Sequence, residues 1–149
     1  MSQIASLYAT QQNVFSKLIN ADTLQELYAV FEVSASSYWE NHFVFGKISG
    51  KTTKKLTKKF IDLLIINTIL PLKLHYAKHI GRDVNDEIIL MATGLKSEKN
   101  GIIEGFIKLG VAIESAKDSQ AAIQSYHEYC TRNKCLQCVV GGSLLNRID

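Results

Sequence analysis

The run FIDLLIINTILPLKLHYA, residues 60–77, constrains this chain more than any other segment. From Phe60 to Leu70 it is apolar nearly all the way round a helix, and such a helix is stable in water only when neighbours enclose it. Asp62, Asn67, Pro71 and Lys73 interrupt it, and a bilayer-spanning helix of about 20 residues rarely tolerates that combination. The expectation is therefore a buried central helix and no membrane span. Pro71 removes a backbone donor and crowds the carbonyl of Asn67, so a kink is expected there.

The segments on either side supply helices to surround it. Ile4, Leu7, Val14, Phe15, Leu18 and Ile19 recur at the spacing of one helical face. In ADTLQELYAVF, Asp22 or Thr23 is placed to cap a helix whose buried stripe is Leu24, Leu27, Val30 and Phe31. SASSYWENHFVFG is expected to give a short helix and then irregular chain, with Trp39, Phe43 and Phe45 in the core. RDVNDEIILMATGL reads as a helix begun at Asp83 or Asn85, and SEKNGIIEGFIKLG as one opened by Ser97 and stopped by Gly110. KDSQAAIQSYHEYC follows, with Asp118 as N-cap and Ile123 and Tyr126 inward. No window alternates like a strand. A chain of 149 residues is long enough to bury roughly 70% of its unfolded surface around one core. The predicted fold is all-α: a single domain over 1–149, a compact array of about seven or eight helices around a central apolar helix kinked near Pro71.

Between Gly46 and Lys59 the composition changes. GKISGKTTKKLTKK carries six lysines, Lys47, Lys51, Lys54, Lys55, Lys58 and Lys59, and reads as an exposed loop. It leads into a helix N-terminus, where free N–H groups and the helix dipole favour anions. Phosphates of a nucleic acid are one such partner. Contacts of that kind would be non-specific, with a dissociation constant on the order of 10⁻⁴ to 10⁻⁶ M and a steep salt dependence. A solvated loop is the plainer alternative, since no aromatic side chain stands among these lysines to stack on bases. The net charge of +3 settles nothing by itself.

CTRNKCLQC, residues 130–138, holds all three cysteines of the chain. The spacing is C-x4-C-x2-C, and the close pair suits a zinc site or the start of an iron–sulfur pattern, each of which needs a fourth ligand. No fourth cysteine exists. His127 lies three residues before Cys130, and on an α-helix both project from one face, so His127, Cys130, Cys135 and Cys138 form a candidate structural zinc set. The plainer reading has the thiols buried under the last helix as small apolar side chains, and a reversible disulfide is a further alternative. No other cofactor is implied.

His75 and His79 stand four apart in LHYAKH, yet no acidic or cysteine partner is near in sequence, and a solvated or capping role is expected. DVNDE at 83–87 lacks the downstream glycine and glutamate of a calcium loop and suits a helix start. No GxGxxG, P-loop, GxSxG or HExxH occurs. The opening MSQIASLYATQQ lacks the basic leader and apolar core of a secretion signal. A cytoplasmic location with reduced thiols is the expectation.

Four strings carry a resemblance: LYAVFEVSASSYWENHFVFGK at 27–47, IDLLIINTILPL at 61–72, SEKNGIIEGFIKLG at 97–110 and KDSQAAIQSYHEYCTRNKCLQCVVGGSLL at 117–145. Together they resemble the uncharacterised bacterial family called domain of unknown function 2851. The resemblance implies that the chain corresponds to the C-terminal helical portion of longer members, with no established activity. It suggests a structural or interaction domain without catalysis of its own, packing on a larger region in cis or in trans. Nucleic-acid binding through the lysine loop and a zinc-stabilised fold are the alternatives.

Overall fold

Thr57 begins the longest helix. Its hydroxyl accepts from the N–H of Phe60 at 3.3 Å, capping a helix that runs from Lys58 to His79. In a computed structural model, residues 2–145 are described, without the side chains of 144 and 145. The chain divides into two compact units, Met1–Met91 and Ala92–Asp149, where the sequence suggested a single domain over 1–149. Each is described by itself.

The first unit opens with α1 (Ser2–Thr10), α2 (Val14–Asn20) and α3 (Leu24–Val30). Asn13, at φ 57°, turns the chain between α1 and α2, so the apolar residues from Ile4 to Ile19 occupy two helices rather than one. The cap of α3 is Thr23, whose hydroxyl accepts from the Glu26 N–H at 3.2 Å, while Glu26 reaches back to the N–H of Asp22 at 2.9 Å. A single turn, α4 (Ser37–Glu40), precedes an antiparallel hairpin of β1 (His42–Val44) and β2 (Lys47–Ile48). Gly46, at φ 69°, makes the reversal. This hairpin lies where the sequence predicted irregular chain, and at this length no alternating pattern has room to develop.

The long helix, α5 (Lys58–His79), is not a single α-helical rod. Ile65–Ile69 forms a π turn just before Pro71. A widened turn there is one of the recognised ways a helix carries a residue that cannot donate to the ladder. Ile61, Ile65, Ile66, Ile69, Leu70, Lys73 and Ala77 are buried, against a core that includes Leu7, Leu18, Leu27 and Phe31. The expected full enclosure does not occur: Phe60, Leu63, Leu72, Leu74 and Tyr76 are between 37% and 44% exposed. The helix is long and apolar enough to cross a membrane by length and composition, but here one face packs in the core and the other is open. Helix α6 (Asn85–Gly94) follows, and the division between units falls within it.

The second unit contains α7 (Gly101–Lys108), α8 (Ala116–Ser125) and α9 (Val139–Leu145). The cap of α7 is Asn100, accepting from Ile103 N–H at 3.0 Å, and not Ser97 as expected; Gly110, at φ 84°, ends the turn after it. Ser115 caps α8, and Asp118 completes the reciprocal box by accepting from the Ser115 N–H at 3.0 Å. Asp118 is therefore the third helical residue, not the cap. The buried residues are the small Ser115, Ala116, Ser119 and Ala122 at α8, with the larger Leu95 and Ile103. Ile123 is only part-buried and Tyr126 is exposed, against expectation. Nine helices, counting α5 once, make the described residues mostly helical, with one small hairpin.

Candidate functional site

The hairpin gathers the first unusual surface. Phe43, Val44, Phe45 and Ile48 are 72%, 57%, 81% and 77% exposed, although Phe43 and Phe45 were expected in the core. The aromatics pack on one another instead. Tyr38 stacks on His42 with centroids 4.0 Å apart, and Trp39, itself part-buried, meets Phe45 edge-on at 4.9 Å. The Tyr38 hydroxyl accepts from the Gly46 N–H at 3.0 Å, tying the turn to α4. With only two short strands, the hairpin has no opposing layer under which these side chains could be buried.

The lysines around it divide into two groups. Lys51 pairs with Glu40 at 3.4 Å. Lys54 donates to the His42 carbonyl and lies 3.7 Å from the centroid of the Phe43 ring. Lys58 donates to the Tyr28 hydroxyl at 2.7 Å and to Asp62 at 3.3 Å. These three are held by the protein itself. Lys47, Lys55 and Lys59 are exposed and make no ion pair among the described residues. The free N–H groups expected at the start of α5 are also reduced, because Thr57 takes one.

Tyr28 is tied electrostatically to Lys58 of the first group. Burial, then its 2.5 Å hydrogen bond to Asp62, raises its hydroxyl above the ordinary value. The bond to Tyr28 in turn raises Lys58, followed by the bond to Asp62. An open cleft of about 450 Å³ lies beside this pair, lined among others by Tyr28, Val33, Lys55 and Ile61.

A charge cluster that sequence reasoning missed lies in the core of the first unit. Lys73, 1% exposed, donates to the Ala21 carbonyl and approaches Asp22 at 3.4 Å and Glu87 at 3.5 Å. Arg82 holds the other oxygen of Glu87 at 2.9 Å. Two cations and two carboxylates balance, which suits a structural role. The signal available was a lysine interrupting an apolar helix, with no means of locating its partners.

The cysteines do not meet their expectations. Cys130 and Cys135 are exposed and Cys138 is intermediate, and all three are free thiols, so they are not buried fillers. No group of three or more His, Cys, Asp or Glu side chains among the described residues is arranged to hold a metal ion. The reason is local. Tyr126–Cys130 is a π turn, not an α-helix, and the wider turn rotates His127 and Cys130 off the shared face expected of an i, i+3 pair. Cys135 begins a separate 3₁₀ turn, Cys135–Gln137, leading to Cys138. The Cys138 thiol lies below its ordinary value because the N–H groups of Gly141 and Val140 point to it, with a smaller contribution from the Ser125 hydroxyl and opposed by partial burial. His75 and His79 are exposed and belong to no such group.

The fold and its surfaces define a mostly helical protein with an exposed aromatic hairpin and a separate cluster of thiols. Over residues 1–101 the chain matches the family described as "Protein of unknown function (DUF2851)", and it belongs to that family. The match includes the strings at 27–47 and 61–72 and stops near the start of the one at 97–110, so the cysteine segment lies beyond it. No curated protein and no solved structure matches the chain.

Proposed function

We propose that the protein is a helical interaction domain with no turnover of substrate of its own, docking through its hairpin onto a larger protein region in cis or in trans. The observation that carries this reading is the exposure of Phe43, Val44, Phe45 and Ile48 in one short hairpin. Burying a Phe, Val or Ile side chain contributes roughly 1.5–3 kcal/mol, so four together form a credible anchor. Between residues 33 and 61 the only acid is Glu40, against six lysines. The complementary partner is thus a protein surface with an apolar centre and an acidic rim. In this reading α5 is the scaffold behind the hairpin, bending where its π turn meets Pro71, and the compartment is the cytoplasm.

The test places a photo-reactive phenylalanine at Phe45 in the whole chain, identifies the cross-linked protein, and measures its binding in purified form. Phe43→Ser/Phe45→Ser should weaken that binding at least tenfold while lowering the melting temperature by no more than roughly 10 °C, the loss of one or two ring contacts of about 0.5–1.5 kcal/mol each. Equal binding by parent and double variant, or no discrete cross-link, would overturn the reading.

Nucleic-acid binding is the second reading, favoured by free Lys47, Lys55 and Lys59 together with the open face of Phe45. Lys47→Glu/Lys55→Glu/Lys59→Glu removes only lysines that the protein does not already use. Unchanged binding to single-stranded DNA in a salt titration, or none at low salt, disposes of it. A zinc-stabilised fold has no comparable observation behind it.

A further inference from the structure

We propose that Cys135 and Cys138 are a dithiol/disulfide pair that exchanges with external disulfides, Cys138 attacking and Cys135 resolving. The inference concerns the second unit alone and does not depend on the hairpin reading.

The geometry is set by a short turn. The N–H of Cys138 donates to the carbonyl of Cys135 at 3.2 Å, closing the chain three residues on. A turn of this kind keeps its end Cα atoms within about 7 Å, close to the roughly 4.4–6.8 Å usual across a disulfide. Cys130 is not tied to either of them in this way: its carbonyl accepts from the N–H of Asn133, which is not a cysteine.

The two cysteines differ in chemistry. Cys138 precedes α9, and the N–H groups of Val140 and Gly141 together with the Ser125 hydroxyl favour its thiolate, the form that attacks. Cys138 is part-exposed, which leaves it open to an incoming disulfide, and Cys135, the resolving thiol, is exposed beside it. Gly141 is what allows the two segments to approach. A Cβ placed on it would lie 2.2 Å from the Cys135 carbonyl oxygen and 2.9 Å from its carbon. Any larger residue would force the turn away from the start of α9.

The exchange balances without a metal or cofactor. The Cys138 thiolate attacks one sulfur of an external disulfide, R–S–S–R. A Cys138–S–S–R bond forms, the R–S–S–R bond breaks, and R–S⁻ leaves. Cys135 gives up its proton to water or to the departing thiolate and attacks the Cys138 sulfur. The Cys135–Cys138 bond forms and the second R–S⁻ leaves. The protein loses two electrons and the external disulfide becomes two thiols. The substrate class is any accessible disulfide, small or borne by a protein, and the third thiol, Cys130, takes no part.

Oxidised glutathione is the probe for the test, incubated with the full chain under nitrogen and followed by peptide mass mapping. The parent is expected to gain a Cys135–Cys138 bond with no retained glutathione. Cys135→Ser should instead accumulate glutathione on Cys138, and Cys138→Ser should form no intramolecular bond at 135. In the reduced parent, Cys138 should be alkylated by iodoacetamide several-fold faster than Cys130 at neutral pH, a difference lost as the pH rises. A bond involving Cys130, no adduct on Cys138 in Cys135→Ser, or equal alkylation of Cys130 and Cys138 at every pH would each overturn the proposal. Circular dichroism of each variant confirms that the fold is retained, which exposed Cys→Ser changes should permit.

Discussion

Truncating Lys73 should cost more than any single surface change, and the cost separates into two parts. Its ammonium, 1% exposed, donates to the Ala21 carbonyl and lies 3.4 Å from Asp22 and 3.5 Å from Glu87. Lys73→Met keeps the buried stem and removes the charge. The Ala21 carbonyl then loses a buried donor, a loss of about 1–3 kcal/mol. Glu87 is less affected because Arg82 still holds it at 2.9 Å, and Asp22 is largely exposed and rehydrates. A loss of about 1–2 kcal/mol is expected for Met, toward the lower part of that range. Lys73→Ala removes three further methylenes, each contributing roughly 0.8 kcal/mol when buried. The total for Ala is therefore about 3.5–4.5 kcal/mol. Trp39 is the only tryptophan and lies in the first unit, so its fluorescence in a urea titration reports that unit. For a unit of this size each kcal/mol corresponds to roughly 4–8 °C of melting temperature. A loss below about 1.5 kcal/mol for Ala, or equal losses for Met and Ala, would refute the reasoning that stem packing and a buried charge network act together.

Three further outcomes follow from local geometry. Gly141→Ala should abolish hydrogen-exchange protection of the Cys138 and Gly142 N–H groups, because the new Cβ meets Cys135 backbone at 2.2 Å; retained protection would contradict the close approach. Asp118, whose carboxylate is held below its ordinary value by Ser115 hydroxyl and N–H and then by Glu114 N–H, should add stability above its unfolded-state value and lose it as pH falls through the lowered one. Asp118→Asn should flatten that acid limb for α8, measured by helicity against pH. Tyr28 is raised, so its contribution is full below the ordinary tyrosine range and is lost as pH rises through the raised value. In a spectrophotometric titration one tyrosine should ionise late, and Asp62→Asn should bring it back toward the rest.

The helices were legible because periodicity survives tertiary context. Of the expected stripe Leu24, Leu27, Val30 and Phe31, the last three are buried and Leu24 is part-buried, and the stretch at 60–77 lies within one long helix. What the pattern could not show was which side of that helix the rest of the unit covers, since a uniformly apolar segment carries no amphipathic direction. Lys73 marks the buried side, contrary to the usual exposure of lysine, because Ala21, Asp22 and Glu87 converge on it from distant positions. Phe43 and Phe45 were assigned to the core by residue type alone, and the hairpin that exposes them has too few residues to announce itself. The capping errors at Ser97 and Asp118 have one cause: several side chains near each helix start can accept a backbone N–H, and only the backbone conformation selects Asn100 and Ser115. For the thiols, the plainer expectation of burial under the last helix fails because they are exposed or part-exposed, and the alternative of a shared ligand set rested on adjacency in sequence, which the π turn at Tyr126–Cys130 and the 3₁₀ turn at Cys135–Gln137 interrupt.

The two candidate surfaces rest on different parts of the sequence, and that separates their consequences. The hairpin lies inside the residues that match the family, while Cys130, Cys135 and Cys138 lie beyond them. The proposed docking through Phe45 is thus attached to the family segment, and the proposed thiol exchange to the remaining residues of this chain. No residue named in either mechanism belongs to both units. Phe43→Ser/Phe45→Ser should therefore leave the rate of glutathione exchange at Cys138 as it is in the parent, and Cys138→Ser should leave the binding of the cross-linked partner intact. Were oxidation of the pair to alter that binding, the partner would have to sense both units at once, and the hairpin could no longer be its complete docking surface.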